Sequence, residues 1–514
     1  MTSADGARAL LALAAGAGTV FGFAPFDLPG VPVVTFALLV TVWLDAGARS
    51  AALSGFAFGA GLFGAGGSWV YIALNTFGGM PMPLAATGTA LWTAYLAAYP
   101  ALTGWLAVRF TAAGSPARAL AAAAIFTVAE IVRGSGYTGF PWLALGYSQL
   151  PAQGLSSPLA AYATLGGVWL VTLAVALAGG ALALATAAFA APARLRGLAW
   201  LLGSVAIAGG GQLCAQIDWT SPAGLPVTVS LVQGNVPQDV KFDAGLREET
   251  FKLYADLVSA SRGRLVVLPE SAFPVFADEV PDAVLLHLLR TATARRGDVL
   301  AGMFTAEPPL PGRDDVRYYN SVVSLGSGEV QLYRKRHLVP FGETIPLEPV
   351  VGWFIRSVLA IPLADQTSGD WAQPPMTVAG QRVAVNICYE DAFGGELRAQ
   401  AETATLLVNV TNDAWYGHSL AALQHNQIAA MRALETGRPL LRATNTGITS
   451  AIGHDGREIA RLPWFTRGIL ELEIAGRQGA TPYVRWGDAV TLALAAMLLV
   501  VAAFVGRASE RTIA

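Results

Sequence analysis

Long runs of Ala, Leu, Val and Gly fill the first part of this chain as far as residue 214. A helix needs about 20 apolar residues to cross about 30 Å of hydrocarbon. Runs of that length, or nearly so, lie near 8–24, 32–45, 52–73, 83–108, 117–133, 160–190 and 196–214, the second being short. An eighth lies near 488–506. Hydrophobic residues make up 54% of the chain and charged residues only 13%, about half the charged fraction of soluble domains. The first run lacks a small-residue cleavage site and six more follow it. It reads as a retained helix rather than a signal peptide. The expectation is a polytopic α-helical membrane domain.

Arginine placement suggests the orientation, because positively charged loops stay cytoplasmic. With the N-terminus inside, Arg8, Arg49, Arg109, Arg118, Arg194, Arg196, Arg507 and Arg511 all fall on the cytoplasmic side. The loops 25–31 and 74–82, which would face outward, carry no Lys or Arg. Seven crossings then leave a polar segment, 220–482, outside. The expected organisation is a membrane domain over 1–219, an extracytoplasmic catalytic domain over 220–482, and a closing helix with a cytoplasmic tail over 483–514. The net charge of -2 gives no sign of a nucleic-acid partner. Two distant cysteines make neither a disulfide framework nor a zinc spacing. Cys214 reads as a packing residue, and a Cys214–Cys388 bridge would consume a candidate nucleophile.

Between 220 and 482 short apolar strands alternate with amphipathic helices, as in layered α/β domains. Strands are expected at Pro226–Gln233, Arg264–Leu268, Val299–Thr305, Asn320–Leu325, Val330–Arg334, Arg382–Ile387, Thr405–Val410, Pro439–Ala443 and Ile448–Ile452. Helices are expected at Arg247–Ala260, Pro281–Arg295 and Leu423–Glu435. Three polar residues follow strands directly: Glu270, Lys335 and Cys388. Each has a plain reading alone, as a helix-terminal charge, part of a solvated basic face, and a small core residue. Together they form an acyl-transfer set. A carboxylate can deprotonate a thiol. An ammonium can favour the thiolate and a tetrahedral oxyanion, as can backbone N–H groups beginning at Tyr389.

The motifs Leu268-Pro-Glu270, Tyr333-x-Lys-x-His-Leu-Val-Pro-Phe-Gly-Glu343 and Ile387-Cys-Tyr-Glu390 resemble the carbon–nitrogen hydrolase (nitrilase) superfamily. That resemblance implies an αββα sandwich with a Glu-Lys-Cys triad. Fusion to seven preceding helices and one following helix resembles a membrane-bound branch, the apolipoprotein N-acyltransferases. Gly67–Tyr71, Phe77–Pro81, Thr138–Trp142, Val232–Pro237, Thr411–Gly417 and Met431–Asn445 also look like segments of that family. Phe242 departs from a position that is often Trp there. The resemblance implies Glu270 as general base, Lys335 as oxyanion and thiolate stabiliser, and Cys388 as nucleophile. Glu343, Tyr389 and Glu390 would support them, with Glu390 orienting neighbours. It also implies a phospholipid acyl donor, most simply its sn-1 chain, a diacylated apolipoprotein acceptor, and no cofactor or metal.

Trp415 and Tyr416 read equally as core aromatics or as lipid contacts. His337, His418 and His425 share no metal-ligand spacing. Glu130 and Arg133 lie three apart on one helix face and read first as an ion pair holding the loop 134–150, second as a headgroup site. The Gly-rich run 59–67 reads as a surface for close helix packing. Two other function classes stay open. A membrane-tethered amidase or nitrilase for a small C–N substrate would use the same triad but would not need eight helices. A non-enzymatic transporter with an extracellular binding domain would not need Cys388.

Overall fold

The change of texture near residue 215 is matched by a division of the chain into two compact units. The computed structural model describes residues 3–135, 139–151, 156–191, 193–238, 241–308, 316–345 and 366–513. Thr138, part of one family-like segment, lies outside them. One unit comprises 1–71, 81–218 and 485–514, the other 72–80 and 219–484.

The first unit is helical. Helices Ser3–Thr19, Gly30–Leu44, Ala48–Gly66, Met82–Arg109, Pro116–Arg133, Ala163–Ala190, Arg194–Cys214 and Ala489–Ile513 stand where the apolar runs lie. Among the described residues, three helices are long and apolar enough to cross a membrane: Pro158–Ala190, Arg194–Cys214 and Ala489–Gly506. Counted as one broken span, the pair Ala48–Gly66 and Trp69–Phe77, bent by 53°, would make a fourth. Ser3–Thr19 and Gly30–Leu44 fall short in length, and Pro116–Arg133 carries Arg118, Glu130 and Arg133. The Gly-rich run packs closely. A Cβ on Gly61 would collide with the Leu13 carbonyl, and one on Gly59 with Ala97. Small residues at such crossings let backbones approach where no hydrophobic effect drives helices together.

The second unit holds two mixed sheets. The first has the order β13-β1-β2-β4-β5-β6, with β3 also beside β4. These are β1 (Thr220–Gln233), β2 (Leu265–Val267), β3 (Phe273–Phe276), β4 (Asp298–Glu307), β5 (Arg317–Gly326), β6 (Leu332–Arg334) and β13 (Gly468–Gly479). The second runs β12-β11-β10-β9-β8-β7. Its strands are β7 (Met376–Val378), β8 (Gln381–Ile387), β9 (Leu406–Thr411), β10 (Leu440–Thr444), β11 (Ser450–Ile452) and β12 (Glu458–Arg461). Helices Arg247–Ala260 and Asp282–Ala294 bury Phe251, Tyr254, Val258, Leu288 and Ala292 in a core with the first sheet. Gly394–Ala401 and Ala421–Thr436 pack on β8 and β10 of the second. β1 meets β10, and β5 meets β7 and β8. Four layers result, helix on sheet on sheet on helix.

In each sheet the central strands run parallel: β1, β2 and β4 in one, β8, β9 and β10 in the other. Parallel strands buried on both faces read as continuous apolar runs. Val383–Ile387 and Leu406–Val410 come close to this, broken only by Asn386 and Asn409, and are buried throughout. Four strands lie beyond the nine expected: β3, β7, β12 and β13. The last pairs antiparallel with β1 along most of its length.

Candidate active site

Three strand ends deliver the central side chains. Glu270 stands in the turn after β2, Lys335 directly after β6, and Cys388 directly after β8. Cys388 has a φ of 55° and opens a 3-10 turn, Cys388–Ala392. A non-Gly residue in the left-handed region is uncommon, and such backbone concentrates at functional sites.

Lys335 is 1% exposed, and its Nζ lies 2.7 Å from Glu343 Oε1 and 3.5 Å from Glu270 Oε1. Burial works against its charge, but Glu343, then Glu270 and Cys388, outweigh that and hold it above the usual lysine range. Glu343 Oε2 accepts the Val339 N–H at 2.8 Å, which fixes the Pro340–Gly342 turn beneath the carboxylate. Asn320 on β5 donates to Glu270 Oε1 at 2.7 Å, and its carbonyl accepts the Lys335 N–H at 2.8 Å. Among the described residues no hydrogen bond reaches Glu270 Oε2, which stays available for a proton. Burial, then the charge of Glu270, push the Cys388 thiol well above its ordinary value, with Lys335 opposing. The thiol therefore rests protonated, with Glu270 the carboxylate that weighs most on it.

Glu390 is buried and bound to backbone. Its oxygens accept from the N–H groups of Arg336 (2.6 Å), His337 (3.1 Å) and Ile387 (2.6 Å) and from the Tyr333 hydroxyl. One carboxylate thereby ties the Lys335 segment to the Cys388 segment. Burial pushes its pKa up to about 7 against the pull of those N–H groups. Tyr389 packs edge-on against Phe393, with ring centroids 5.0 Å apart.

Comparison with known proteins shows the family. Residues 204–483 match the carbon-nitrogen hydrolase family model, and 15–181 match the apolipoprotein N-acyltransferase N-terminal domain. An apolipoprotein N-acyltransferase of Nitrosomonas europaea is 48% identical over 97% of this chain and 98% of its own. One from Methylococcus capsulatus is 43% identical over 95% and 94%. The chain belongs to the apolipoprotein N-acyltransferase family. It is an N-acyltransferase and a bacterial membrane protein. Among solved structures, the carbon-nitrogen hydrolase of Helicobacter pylori G27 is 17% identical, with a TM-score of 0.34 over 49% of this chain and 89% of that one.

Against the Cys388 carbonyl of this acyltransferase lies a closed ring of charges. Asp391 Oδ1 meets His425 Nε2 at 2.8 Å, and His425 Nδ1 meets Asp413 Oδ1 at 2.7 Å. Asp413 Oδ2 meets Arg442 at 3.2 Å, and Arg442 returns to Asp391 Oδ2 at 2.8 Å. Arg442 also donates to Asn409, which donates to the Cys388 carbonyl at 3.1 Å. His425 Nε2 lies 3.3 Å from that same carbonyl. Burial and Arg442 press against a charged imidazole, yet the two aspartates carry its pKa up to about 8. Asn320, Asp391 and Arg442 went unassigned in the sequence because each sits inside or beside an apolar strand, with no spacing to mark it. Lys241 also went unassigned, although it is 3% exposed and donates to the Glu270 carbonyl at 3.0 Å.

The peripheral candidates divide. Phe242 is 39% exposed next to buried Lys241. Trp415 is half-buried with its ring 6.3 Å from Phe77. Burial and then Cys388 raise the Tyr416 hydroxyl well above its ordinary range. Arg133 has the geometry of the first reading, an ion pair with Glu130 that holds the following loop. It is 1% exposed, and its guanidinium binds Glu130 at 2.7 Å, the Trp142 carbonyl at 2.9 Å and the Phe140 carbonyl, over the Phe63 ring. An arginine so fully engaged holds its own loop. His337 stacks on Phe393 and His418 on Phe465.

Proposed function

We propose that this protein moves an acyl chain from a phospholipid to the α-amino group of an S-diacylglyceryl-cysteine at a lipoprotein N-terminus, through a thioester on Cys388. The observation that carries the reading is the convergence of Glu270, Lys335 and Cys388 from three strand ends, with Glu270 Oε2 unengaged among the described residues.

In the first half-reaction Glu270 takes the thiol proton as sulfur attacks the ester carbonyl, most simply at the sn-1 position. The resulting oxyanion gains from the Lys335 ammonium, whose charge Glu343 secures before the substrate arrives. Collapse breaks the C–O bond. The leaving lysophospholipid oxygen takes the proton from Glu270, and an acyl thioester remains. In the second half-reaction the lipoprotein amine attacks the thioester and gives a proton to Glu270. The C–S bond breaks, and the thiolate is reprotonated, leaving an amide. Phe242, Trp415 and Tyr416 are the side chains proposed to meet lipid. Both substrates are anchored by their own chains, and helices hold the enzyme in the same layer. The arginine pattern supports eight crossings of the inner membrane, with the hydrolase unit on the outer face.

The test is incubation of the detergent-solubilised protein with phospholipid, followed by mass spectrometry of the Cys388 peptide. An acyl adduct that disappears when a diacylated lipopeptide is added, with appearance of the triacylated product, is the expected result. Transfer that persists in Cys388→Ala, with no adduct on the native protein, would sink the mechanism.

A further inference from the structure

Lys335 is not the only buried ammonium at the triad. Lys241 lies in the loop after β1, and among the described residues its Nζ has a single acceptor, the Glu270 carbonyl at 3.0 Å. Two of its three N–H groups therefore lack a partner there, although the side chain is almost fully buried. An ammonium has no use for an apolar setting unless an anion faces it. The ionisable groups coupled to it are Glu270 and Cys388.

The local charges can be counted. Glu270 and Glu343 are two carboxylates facing one cation, Lys335. Asp413, which also faces the thiol, is balanced within its ring by His425 and Arg442. Glu390 is held by backbone N–H groups and Tyr333. Tyr416 and Tyr389 carry no charge at neutral pH. With Lys335 alone, the three reacting groups and Glu343 hold a net negative charge before any thiolate forms. A second ammonium brings the set to neutrality. Moving the thiol proton to Glu270 then replaces a carboxylate by a thiolate and leaves the total unchanged.

We propose that Lys241 is a positioning residue for the acyl-transfer reaction, holding the Glu270 turn by its hydrogen bond and balancing the Cys388 thiolate by its charge. The inference rests on Cys388 being the nucleophile. Burial lowers the Lys241 pKa to about 8, so part of its charge is lost in mildly alkaline solution. The charge is therefore conditional, unlike that of Lys335.

The experiment uses full-length protein in detergent with Cys214→Ser, so that Cys388 is the sole thiol. Its rate of alkylation by iodoacetamide is followed against pH, beside the rate of thioester formation from phospholipid. Lys241→Gln retains a donor for the Glu270 carbonyl but removes the charge, whereas Lys241→Arg retains the charge. Gln is expected to move the alkylation profile up by about one pH unit and to slow thioester formation about tenfold or more at neutral pH. Arg is expected to keep the native profile below about pH 8 and, because its charge persists, to react at least as fast as native above it. A native profile in Lys241→Gln would overturn the charge role and leave only a hydrogen bond. If Gln does not fold, as judged by its melting temperature, an alkylation profile moved to higher pH in Lys241→Arg overturns the proposal instead. Because alkylation needs no lipid, loss of the Lys241 effect is distinguishable from failure of the thioester mechanism, which would appear as an unacylated native Cys388.

Discussion

Two buried charge clusters meet at Cys388, one on each side of its peptide, and they are built on opposite plans. In the ring of Asp391, His425, Asp413 and Arg442, all four carboxylate oxygens are engaged by the two cations. In the triad cluster, Glu270 Oε2 and two Lys241 donors lack hydrogen bonds among the described residues, and the thiol rests protonated. A satisfied buried network resists change, because removing one member strands its partner in a low dielectric. An incompletely satisfied one has room for a substrate and a moving proton. The ring grips the Cys388 carbonyl, while the side-chain cluster beyond it stays unfinished.

That contrast breaks most sharply at the thiol. Cys388→Ala should lower transfer by about 10⁴-fold or more, while the melting temperature stays near native, since the ring is untouched. The converse is Arg442→Met, which leaves Asp391 and Asp413 with only His425 between them. It should cost about 3–5 kcal/mol of stability, read by chemical or thermal unfolding. Native stability in that variant would show the ring to be dispensable. Lys335→Met should reduce thioester formation about 10²–10³-fold, with the stability change smaller than that of Arg442→Met. A larger stability loss than activity loss would reverse the assignment of the two clusters.

The mildest test is pH. His425 has its pKa raised from 6.5 to about 8 in the folded protein. A raised folded value means its stabilisation is full below the unfolded pKa and is lost as pH climbs through the folded one. The protein should lose about 2 kcal/mol between pH 6 and pH 9 from this group. His425→Gln should flatten that dependence. Over the same range alkylation of Cys388 should accelerate, so stability and thiol reactivity run in opposite directions.

What the sequence made legible follows the same division. Val383–Ile387 reads as a strand because both its faces are buried, and its polar continuation marks Cys388 at once. Glu270 and Lys335 were visible for the same reason. The helices, too, stand where apolar runs demand them. Hidden were groups whose meaning depends on pairing across the chain: Asn320 gripping Glu270, or Arg442 closing a ring with residues 29 and 51 positions away. Strand β13 was hidden by its own chemistry. Glu471 and Glu473 interrupt its apolar residues, and as an edge strand it is defined by residue-by-residue pairing with β1. Alternation with charged residues on one face is a weaker signal than an unbroken run. Arg133 was legible in its first reading, because a partner three residues away on the same helix face is a local signal, and the loop carbonyls it also binds follow from that placement.

Ile72–Met80 counts with the hydrolase unit although well over a hundred residues separate it from Trp219. Phe77 supports Trp415, and Gly417 approaches Ile72 and Phe77. The unit that carries the chemistry is thus not encoded by one uninterrupted stretch. Excising 219–484 would uncover an aromatic face, so recombination that swaps such a piece between relatives must carry the 72–80 loop with it. Heredity and folding divide this molecule at different places.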